Sequence, residues 1–355
     1  MLRDGGPGFC QFAITNACNA HCQFCNFRVG SGMTGERIFV SLEDSKAAMR
    51  ILADNGVEYM ALVGGEPTLH PKLPEILQSA QSLGINTLIS TNGSYLTDER
   101  VKEYADAGLG SAIISIDAPG VEAHEANRGL PGVCERIART NSEFHRLGVS
   151  TTASVTISKL LGDLSQLPAF LKSLNFTQVT FSYPLRSLDS SFLGFSDSEI
   201  IEFTDDELIA IFDTIIKMKK TFPVVNPTAS LREMQRFIRG ERQMFPCLAG
   251  FKYFHLDWNL DLYRCHAWPK KMCTIWDFDS SKLVRDGCTR CMIDCYRDAS
   301  VLHNVGIALY DAKVDLSRAR PVMALTHVAN RALYESAKSI LEDFRWIKKL
   351  GAGRS

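Results

Sequence analysis

Three closely spaced cysteines near the start of the chain constrain its fold and chemistry more than any other feature. In "NACNAHCQFCNF", Cys18, Cys22 and Cys25 lie within eight residues. They follow a predicted strand, "FCQFAIT", and so belong to the loop at its C-terminal end. Such a loop can bind three irons of a [4Fe–4S] cluster and leave the fourth iron open to an outside ligand. A zinc site and a chance grouping of thiols are the alternatives, although zinc sites usually pair two close ligands with two distant ones.

The composition favours metal or cluster binding over a disulfide framework. The chain has 355 residues, 45% of them hydrophobic, a formal net charge of -1 and eleven cysteines. This charge gives no reason to expect nucleic acid as a partner. The N-terminal residues do not resemble a signal peptide, and no apolar run is long enough for a transmembrane segment. We therefore expect a cytoplasmic protein whose reduced thiols serve as ligands.

Short β-branched and apolar runs alternate with amphipathic stretches in the first half of the chain. This pattern is typical of βα units around a parallel sheet. The predicted strands are Phe9–Thr15, Glu58–Val63, Asn86–Ser90, Ser111–Ile116, Ser150–Thr156 and Thr177–Tyr183. Six units predict an α/β fold, a partial (β/α)6 TIM-like barrel whose reactive surface lies at the C-terminal ends of the strands. A cysteine-rich extension and terminal helices complete the predicted fold.

Changes in composition suggest four parts of the chain. They are a barrel core over residues 1–190, a helical connection over 191–245, a cysteine-rich region over 246–300 and a C-terminal helical segment over 301–355. The last segment has helical periodicity and a basic end at Lys348 and Lys349, which is typical of a docked terminal helix.

Small and polar residues follow the second, third and fourth predicted strands. These loops contain "GGEP", "STNG" and "SIDAP", and each alone is an ordinary turn or connection. Together they place polar groups around one mouth of the barrel. Gly64 and Gly65 allow close backbone approach, and Glu66 offers a carboxylate to an ammonium group.

The order of these motifs resembles the radical S-adenosylmethionine (radical SAM) superfamily over residues 9–185. The resemblance rests on the three cysteines, with Phe24 before the last of them, and on "GGEPTLHP", "STNG" and "SIDA". It implies that Cys18, Cys22 and Cys25 hold a [4Fe–4S] cluster whose open iron is chelated by SAM. The implied SAM contacts are Gly64, Gly65 and Glu66 for the methionyl ammonium, Asn92, Ser115, Asp117 and Ser154 for the ribose and carboxylate, and Arg128 for the carboxylate.

The resemblance also implies a reaction class. The reduced cluster passes one electron to SAM and breaks its C5′–S bond, which yields a 5′-deoxyadenosyl radical. The radical either abstracts hydrogen from a small molecule, with rearrangement, dehydration or decarboxylation, or adds to an alkene such as a triterpene. The electron implies a reductant such as flavodoxin or ferredoxin. No catalytic acid or base is predicted, and the competing interpretation is a noncatalytic zinc or iron–sulfur protein with an assembly or regulatory role.

A second group of cysteines lies in the last third of the chain. Its members are Cys247, Cys265, Cys273, Cys288, Cys291 and Cys295. Between the first two, alternating aromatic and polar residues around Asn259 predict a β-hairpin. This region resembles the SPASM and twitch extensions of radical SAM enzymes and is similar to the C-terminal region of the hopanoid adenosyl-transferring enzyme.

The resemblance implies a second [4Fe–4S] cluster, while zinc and loose thiols remain as alternatives. The predicted ligands are Cys265, Cys288, Cys291 and Cys295, and Cys247 can replace one of them.

Overall fold

The computed structural model describes residues 5–27, 35–184 and 198–351, with side chains described as far as residue 342 in the last helix. The first half of the chain alternates strands and helices. Strands β1 to β6 are Phe9–Thr15, Tyr59–Gly64, Asn86–Thr91, Leu109–Ile116, Ser150–Thr156 and Val179–Ser182. Helices α1 to α6 are Leu42–Asp54, Leu73–Ser82, Asp98–Asp106, Val121–Arg128, Val133–Arg146 and Leu167–Ser173. All six predicted strands are present, and their ends differ from the prediction by no more than two residues.

Six strands form a parallel sheet in the order β6-β5-β4-β3-β2-β1. Strand β1 is buried along almost its whole length, as a parallel strand covered on both faces must be. Local signals set the helix starts: Ser41 accepts a hydrogen bond from Asp44 N before α1, and Thr97 accepts one from Arg100 N before α3. The predicted partial barrel is confirmed.

The second half adds helices and three short strands. Strands β7, β8 and β9 are Tyr253–Leu256, Asp261–Tyr263 and Cys273–Thr274. Helices α7 to α11 are Asp205–Met218, Thr228–Ile238, Asp294–Ser317, Pro321–Val328 and Arg331–Gly351. Strand β7 pairs in parallel with β1, an extension of the sheet that the sequence did not predict. Strands β7 and β8 form the predicted hairpin, and Leu260 takes the positive φ of 64° for which a turn glycine is usual.

Helix α9 begins beside β1 and β6, the first and last strands of the six-strand sheet, which do not pair with each other. Asp294 Oδ2 lies 3.5 Å from Ser182 Oγ on β6, and Tyr296 OH lies 3.4 Å from Gln11 Oε1 on β1. The start of α9 therefore contacts both edges of the open barrel and brings the second cysteine group close to it.

The predicted boundary between residues 190 and 191 lies outside the described residues. Among the residues that the structure describes, no helix combines the length and apolar character needed to cross a bilayer.

Candidate functional site

The first three cysteines lie in the loop that leaves the C-terminal end of β1. Cys22 is buried, Cys18 and Cys25 are half-buried, and all three are free thiols. Ala20 N donates to Cys18 Sγ at 3.5 Å, and Cys25 N donates to Cys22 O at 3.1 Å. The thiols lie close enough to affect one another's ionisation. The structure thus groups the three residues that the sequence predicted as one ligand set.

The environment of these thiols favours metal binding over free thiolates. Burial raises the pKa of Cys18 to about 11 and that of Cys25 to about 12, and it also raises the pKa of Cys22. The nearby guanidinium of Arg128 opposes this shift at all three positions. Without a metal the thiols therefore stay protonated at neutral pH, and iron must displace their protons on binding.

The GGEP segment packs directly against the start of the cysteine loop. Gly65 N donates to Thr15 O at 3.0 Å, and Glu66 N donates to Ala17 O at 2.7 Å. Gly64 has a φ of 141°, and a Cβ there would lie 2.1 Å from Thr15 O. A Cβ on Gly65 would lie 2.2 Å from Ala17 O. Only glycines allow the two backbones to approach this closely.

The carboxylate of Glu66 connects the loops after β2 and β3. It is 1% exposed. Its Oε1 accepts from Thr68 N at 3.0 Å, Thr68 Oγ1 at 2.5 Å and Thr91 Oγ1 at 2.7 Å, and its Oε2 accepts from Asn92 N at 2.6 Å. Burial raises the pKa of Glu66, while these hydrogen bonds to Asn92, Thr68 and Thr91 lower it. Glu66 therefore has a structural role in addition to the ligand contact predicted for it.

Asn92 links the loop after β3 to the cysteine loop. Its Nδ2 donates to Asn19 Oδ1 at 2.9 Å, and its Oδ1 accepts from Ser94 N at 2.9 Å. Asn19 Nδ2 in turn donates to Ser94 Oγ at 2.9 Å. The side-chain amide of Asn92 thus holds the segment between the first two cysteines.

Asp117 and Arg128, predicted as separate SAM contacts, form a buried ion pair with each other. Arg128 Nη2 lies 2.6 Å from Asp117 Oδ1, and the two side chains are 7% and 0% exposed. Asn127 Nδ2 donates to Asp117 Oδ2 at 2.8 Å, and Asn127 Oδ1 accepts from Gln23 N at 3.2 Å. His21 N donates to Arg128 O at 2.8 Å. The end of α4 therefore supports the cysteine loop from the side of β4.

One polar atom of Arg128 is buried without a partner. Among the described residues, nothing accepts a hydrogen bond from its Nε. Because an unsatisfied buried donor costs free energy, this Nε–H marks a place where an acceptor such as a carboxylate or a cluster sulfur fits. Arg128 is a buried residue rather than an ordinary surface arginine.

Ser115 and Ser154 are adjacent on one face of the sheet. Ser115 pairs in register with Ser154, and Ser154 pairs with Thr180 on β6. All three are half-buried, whereas the alternate residues Ile114 and Ala153 are fully buried. Because helices cover the outer face of a barrel sheet, this row of hydroxyl groups faces the barrel interior.

Four cysteines of the second group lie together. They are Cys247, Cys265, Cys288 and Cys291, whose thiols interact electrostatically in several pairs. Cys247 N also donates to Cys288 O at 2.8 Å. Burial raises the pKa of Cys265 to about 12 and that of Cys291 to about 11. The hairpin, the segment before it and the turn before α9 each contribute to this set.

Cys295 and Cys273 have different surroundings. Cys295 Sγ lies 3.8 Å from Asp294 Oδ2 and also interacts with Gln11 on β1. Cys273 is half-buried among the charged residues of the β9 segment. The structure thus groups Cys247, rather than Cys295, with the other three predicted ligands.

Both donor sets consist of thiols, the ligands that iron–sulfur clusters take. Among residues 5–27, 35–184 and 198–351, no three His, Cys, Asp or Glu side chains converge closely enough to be recognised as a site for one metal ion. In a cubane cluster each cysteine binds a different iron, so its ligands stand farther apart than those of a single zinc ion. Three thiols beside an unpaired Arg128 Nε, and four thiols in a second set, have the chemistry that such clusters require.

Sequence reasoning missed the residues that support the first cysteine loop. Asn19 lies in this loop and Asn127 contacts it, while His124 Nδ1 supports Asp117 by accepting from Asp117 N at 3.1 Å. The only sequence signal was the polar character of "CNAHC" and "HEANRG", which also suits an exposed loop.

Comparison with known proteins identifies the first half of the chain. The model of the radical SAM superfamily matches residues 12–163. An AdoMet-dependent heme synthase of Oleidesulfovibrio alaskensis is 28% identical over 161 residues, which are 44% of this chain and 41% of the relative. A PqqA peptide cyclase of Rhizobium meliloti is 33% identical over 123 residues, 35% of this chain and 32% of the relative. The chain thus spans less than half the length of these curated relatives.

A solved structure extends the similarity in fold beyond that region. Streptococcus suis SuiB bound to its precursor peptide SuiA has a TM-score of 0.60 at 15% identity, covering 85% of this chain and 73% of that chain.

The match over residues 12–163 confirms the resemblance to the radical SAM superfamily seen in the sequence. The superfamily uses a [4Fe–4S] cluster with SAM, in agreement with the predicted cofactors.

Proposed function

We propose that this radical SAM chain is an enzyme that cleaves SAM reductively and uses the 5′-deoxyadenosyl radical on a polar substrate. The observation that carries the proposal is the joint geometry of three thiols and the GGEP backbone at the C-terminal end of adjacent strands. A purely structural metal site needs no such loop beside it. We further propose a cytoplasmic location and a reductant such as flavodoxin or ferredoxin, since eleven free thiols suit a reducing compartment.

In this proposal Cys18, Cys22 and Cys25 hold the cluster. When bound, the cluster and SAM supply the electron and the bond cleavage that generate the radical. The chain positions these groups: the Asp117–Arg128 pair and the Asn19–Asn92 hydrogen bond fix the loop that carries the thiols. A fixed loop is needed because small displacements of the reacting groups reduce the rate strongly.

Two side chains are well placed to bind SAM directly. Within the described residues, Glu66 Oε1 accepts three hydrogen bonds and Oε2 accepts one, which leaves Oε2 able to accept another from the methionyl ammonium. The unpaired Nε of Arg128 can donate to the SAM carboxylate while its Nη2 stays bound to Asp117. Asn92, Ser115, Asp117 and Ser154 retain their predicted places around the ribose and carboxylate as part of the proposal.

The barrel interior favours hydrogen abstraction from a polar substrate over addition to a triterpene. Ser115, Ser154 and Thr180 line one row of the interior face, and Asp294 lies against Ser182 at its edge. A purely hydrocarbon substrate would desolvate the hydroxyl groups of Ser115 and Ser154 without offering them hydrogen bonds, at a cost of about 1–3 kcal/mol for each. Substrates with hydroxyl, amine or amide groups satisfy them. The precursor peptide bound to SuiB is a ligand of this polar kind.

A second [4Fe–4S] cluster is proposed at Cys247, Cys265, Cys288 and Cys291. Their mutual electrostatic interactions support this set over one that contains Cys295. Zinc at the same four thiols is the alternative that metal analysis separates from it.

The decisive experiment is anaerobic SAM cleavage. The protein is reconstituted with iron and sulfide, reduced with titanium(III) citrate and given SAM, and 5′-deoxyadenosine is measured by chromatography. We expect the product from the wild type and from Cys134→Ala, which removes a buried thiol on α5 outside both cysteine groups. We expect none from Cys18→Ala. Equal product from Cys18→Ala, or none from a wild type with an intact cluster, would favour the noncatalytic interpretation.

A further inference from the structure

Arg297 is a buried cation without a carboxylate partner. The residue lies on α9 and is 2% exposed. Its Nη1 donates to Cys288 O at 3.4 Å and its Nη2 to Gln243 Oε1. Among the described residues no acidic side chain forms an ion pair with it, and its Nε has no hydrogen-bond acceptor. A buried charge without a counter-charge is strongly destabilising, so the guanidinium requires an anion that the polypeptide itself does not supply.

The second cysteine set provides a position for this anion. Arg297 Nη1 donates to the backbone oxygen of Cys288, which also accepts from Cys247 N at 2.8 Å, so the guanidinium lies beside the second cysteine set. Neutral thiols would not compensate the charge. Four thiolates around a [4Fe–4S] core carry a net charge of about −2 and expose sulfur acceptors in all directions.

We propose that Arg297 is the internal counter-ion of the auxiliary cluster and that its Nε–H donates a hydrogen bond to a cluster sulfur. The inference rests on the proposed second cluster and assigns it a positioning residue outside its four ligands. Both the positive charge and the hydrogen bond stabilise the reduced cluster, which is more negative, over the oxidised one. Arg297 therefore raises the reduction potential of this cluster and slows its loss of iron.

A second buried arginine shows why Arg297 is distinctive. Arg264 also lies near the set and is 3% exposed, but it binds Asp286 with two hydrogen bonds of 2.7 and 2.8 Å. Its charge is already compensated within the chain. Arg285, 41% exposed and paired with Asp311, belongs to the same region and serves as a surface control.

The test isolates the auxiliary cluster. A full-length variant with Cys18, Cys22 and Cys25 all changed to alanine is reconstituted, and its remaining cluster is titrated with EPR detection. Arg297→Gln, Arg297→Lys and Arg285→Gln are compared in this background. We expect Arg297→Gln to shift the potential to more negative values and to release iron to a chelator about 10–100-fold faster. Arg297→Lys keeps the charge without the Nε donor and should fall between Arg297→Gln and the parent, whereas Arg285→Gln should match the parent.

The possible results test the role of Arg297 and the presence of the auxiliary cluster separately. An unchanged potential and unchanged iron release in both Arg297 variants would overturn the role of Arg297 alone. A background variant that binds no iron, or binds zinc instead, would remove the auxiliary cluster and with it the inference. The assay for 5′-deoxyadenosine in the wild type tests the first cluster independently of both.

Discussion

Replacing Gly65 by alanine tests whether the GGEP loop and the cysteine loop form one structural unit. The added Cβ would lie 2.2 Å from Ala17 O, 2.5 Å from Ala17 C and 2.9 Å from Asn16 O. All three atoms belong to the backbone and cannot rotate away. Ala17 directly precedes Cys18, so any displacement reaches the first thiol ligand.

The size of the effect follows from these contacts. Real Cβ atoms keep at least about 3.0 Å from other heavy atoms, so one loop must retreat by about 0.8 Å. Steric insertions of this kind cost about 1–3 kcal/mol of folding free energy. A shift of this size also breaks the 2.7 Å hydrogen bond from Glu66 N to Ala17 O. We therefore expect Gly65→Ala to lose most of the iron of the first cluster and nearly all SAM cleavage.

The assay combines iron content, 5′-deoxyadenosine formation and urea unfolding. Gly6→Ala is the matched control, because a Cβ at Gly6 meets nothing within 4 Å. We expect the control to match the wild type in all three measurements. A Gly65→Ala protein with full iron content and a free energy of unfolding within about 0.5 kcal/mol of wild type would refute the close-packing argument.

Three further predictions follow from the buried charges and thiols. Asp117→Asn leaves the guanidinium of Arg128 without its counter-charge and should lower the free energy of unfolding by about 3–5 kcal/mol in urea titrations; a loss under about 1 kcal/mol would contradict the buried pair. Burial raises the pKa of Asp294 to about 7, so between about pH 4 and pH 7 the folded state keeps a proton that the unfolded state has lost, and stability should fall as pH rises through this window. Asp294→Asn should flatten that dependence in unfolding midpoints at pH 5, 6 and 7, and an unchanged slope would argue against this group. Cys247→Ala should reduce bound iron by about four atoms per chain while Cys295→Ala leaves it unchanged, and the reverse result would restore the ligand set predicted from spacing.

The strands and the site loops were predictable because they depend on local signals. β-Branched and apolar runs such as Ser150–Thr156 indicate strands, and cysteine spacing depends only on neighbouring residues. Parallel connections then place successive strand ends at one mouth of the barrel. These facts sufficed to predict that the loops containing Cys18, Gly64 and Asn92 lie at the same mouth of the barrel.

The ligand set that we propose for the second group could not be chosen from the sequence alone. Spacing groups Cys295 with Cys288 and Cys291, but α9 begins at Asp294 and orients Cys295 towards Asp294 and Gln11. Cys247, far away in sequence, takes the nearer position through its backbone hydrogen bond to Cys288. Distance along the chain says little about which side chains converge once a helix begins between them.

The sequence by itself determined the chemistry available to this protein: a radical SAM motif set, six βα units and a second group of cysteines. The tertiary structure decided how the charges are compensated. Asp117 and Arg128, two separate SAM contacts in the sequence prediction, bind each other, and Arg297, unremarked in the sequence, is a buried cation beside four thiols. The physical reason is that residue types and local spacing can be read from the sequence, whereas burial and the partner of each buried charge depend on segments that meet only in the folded chain.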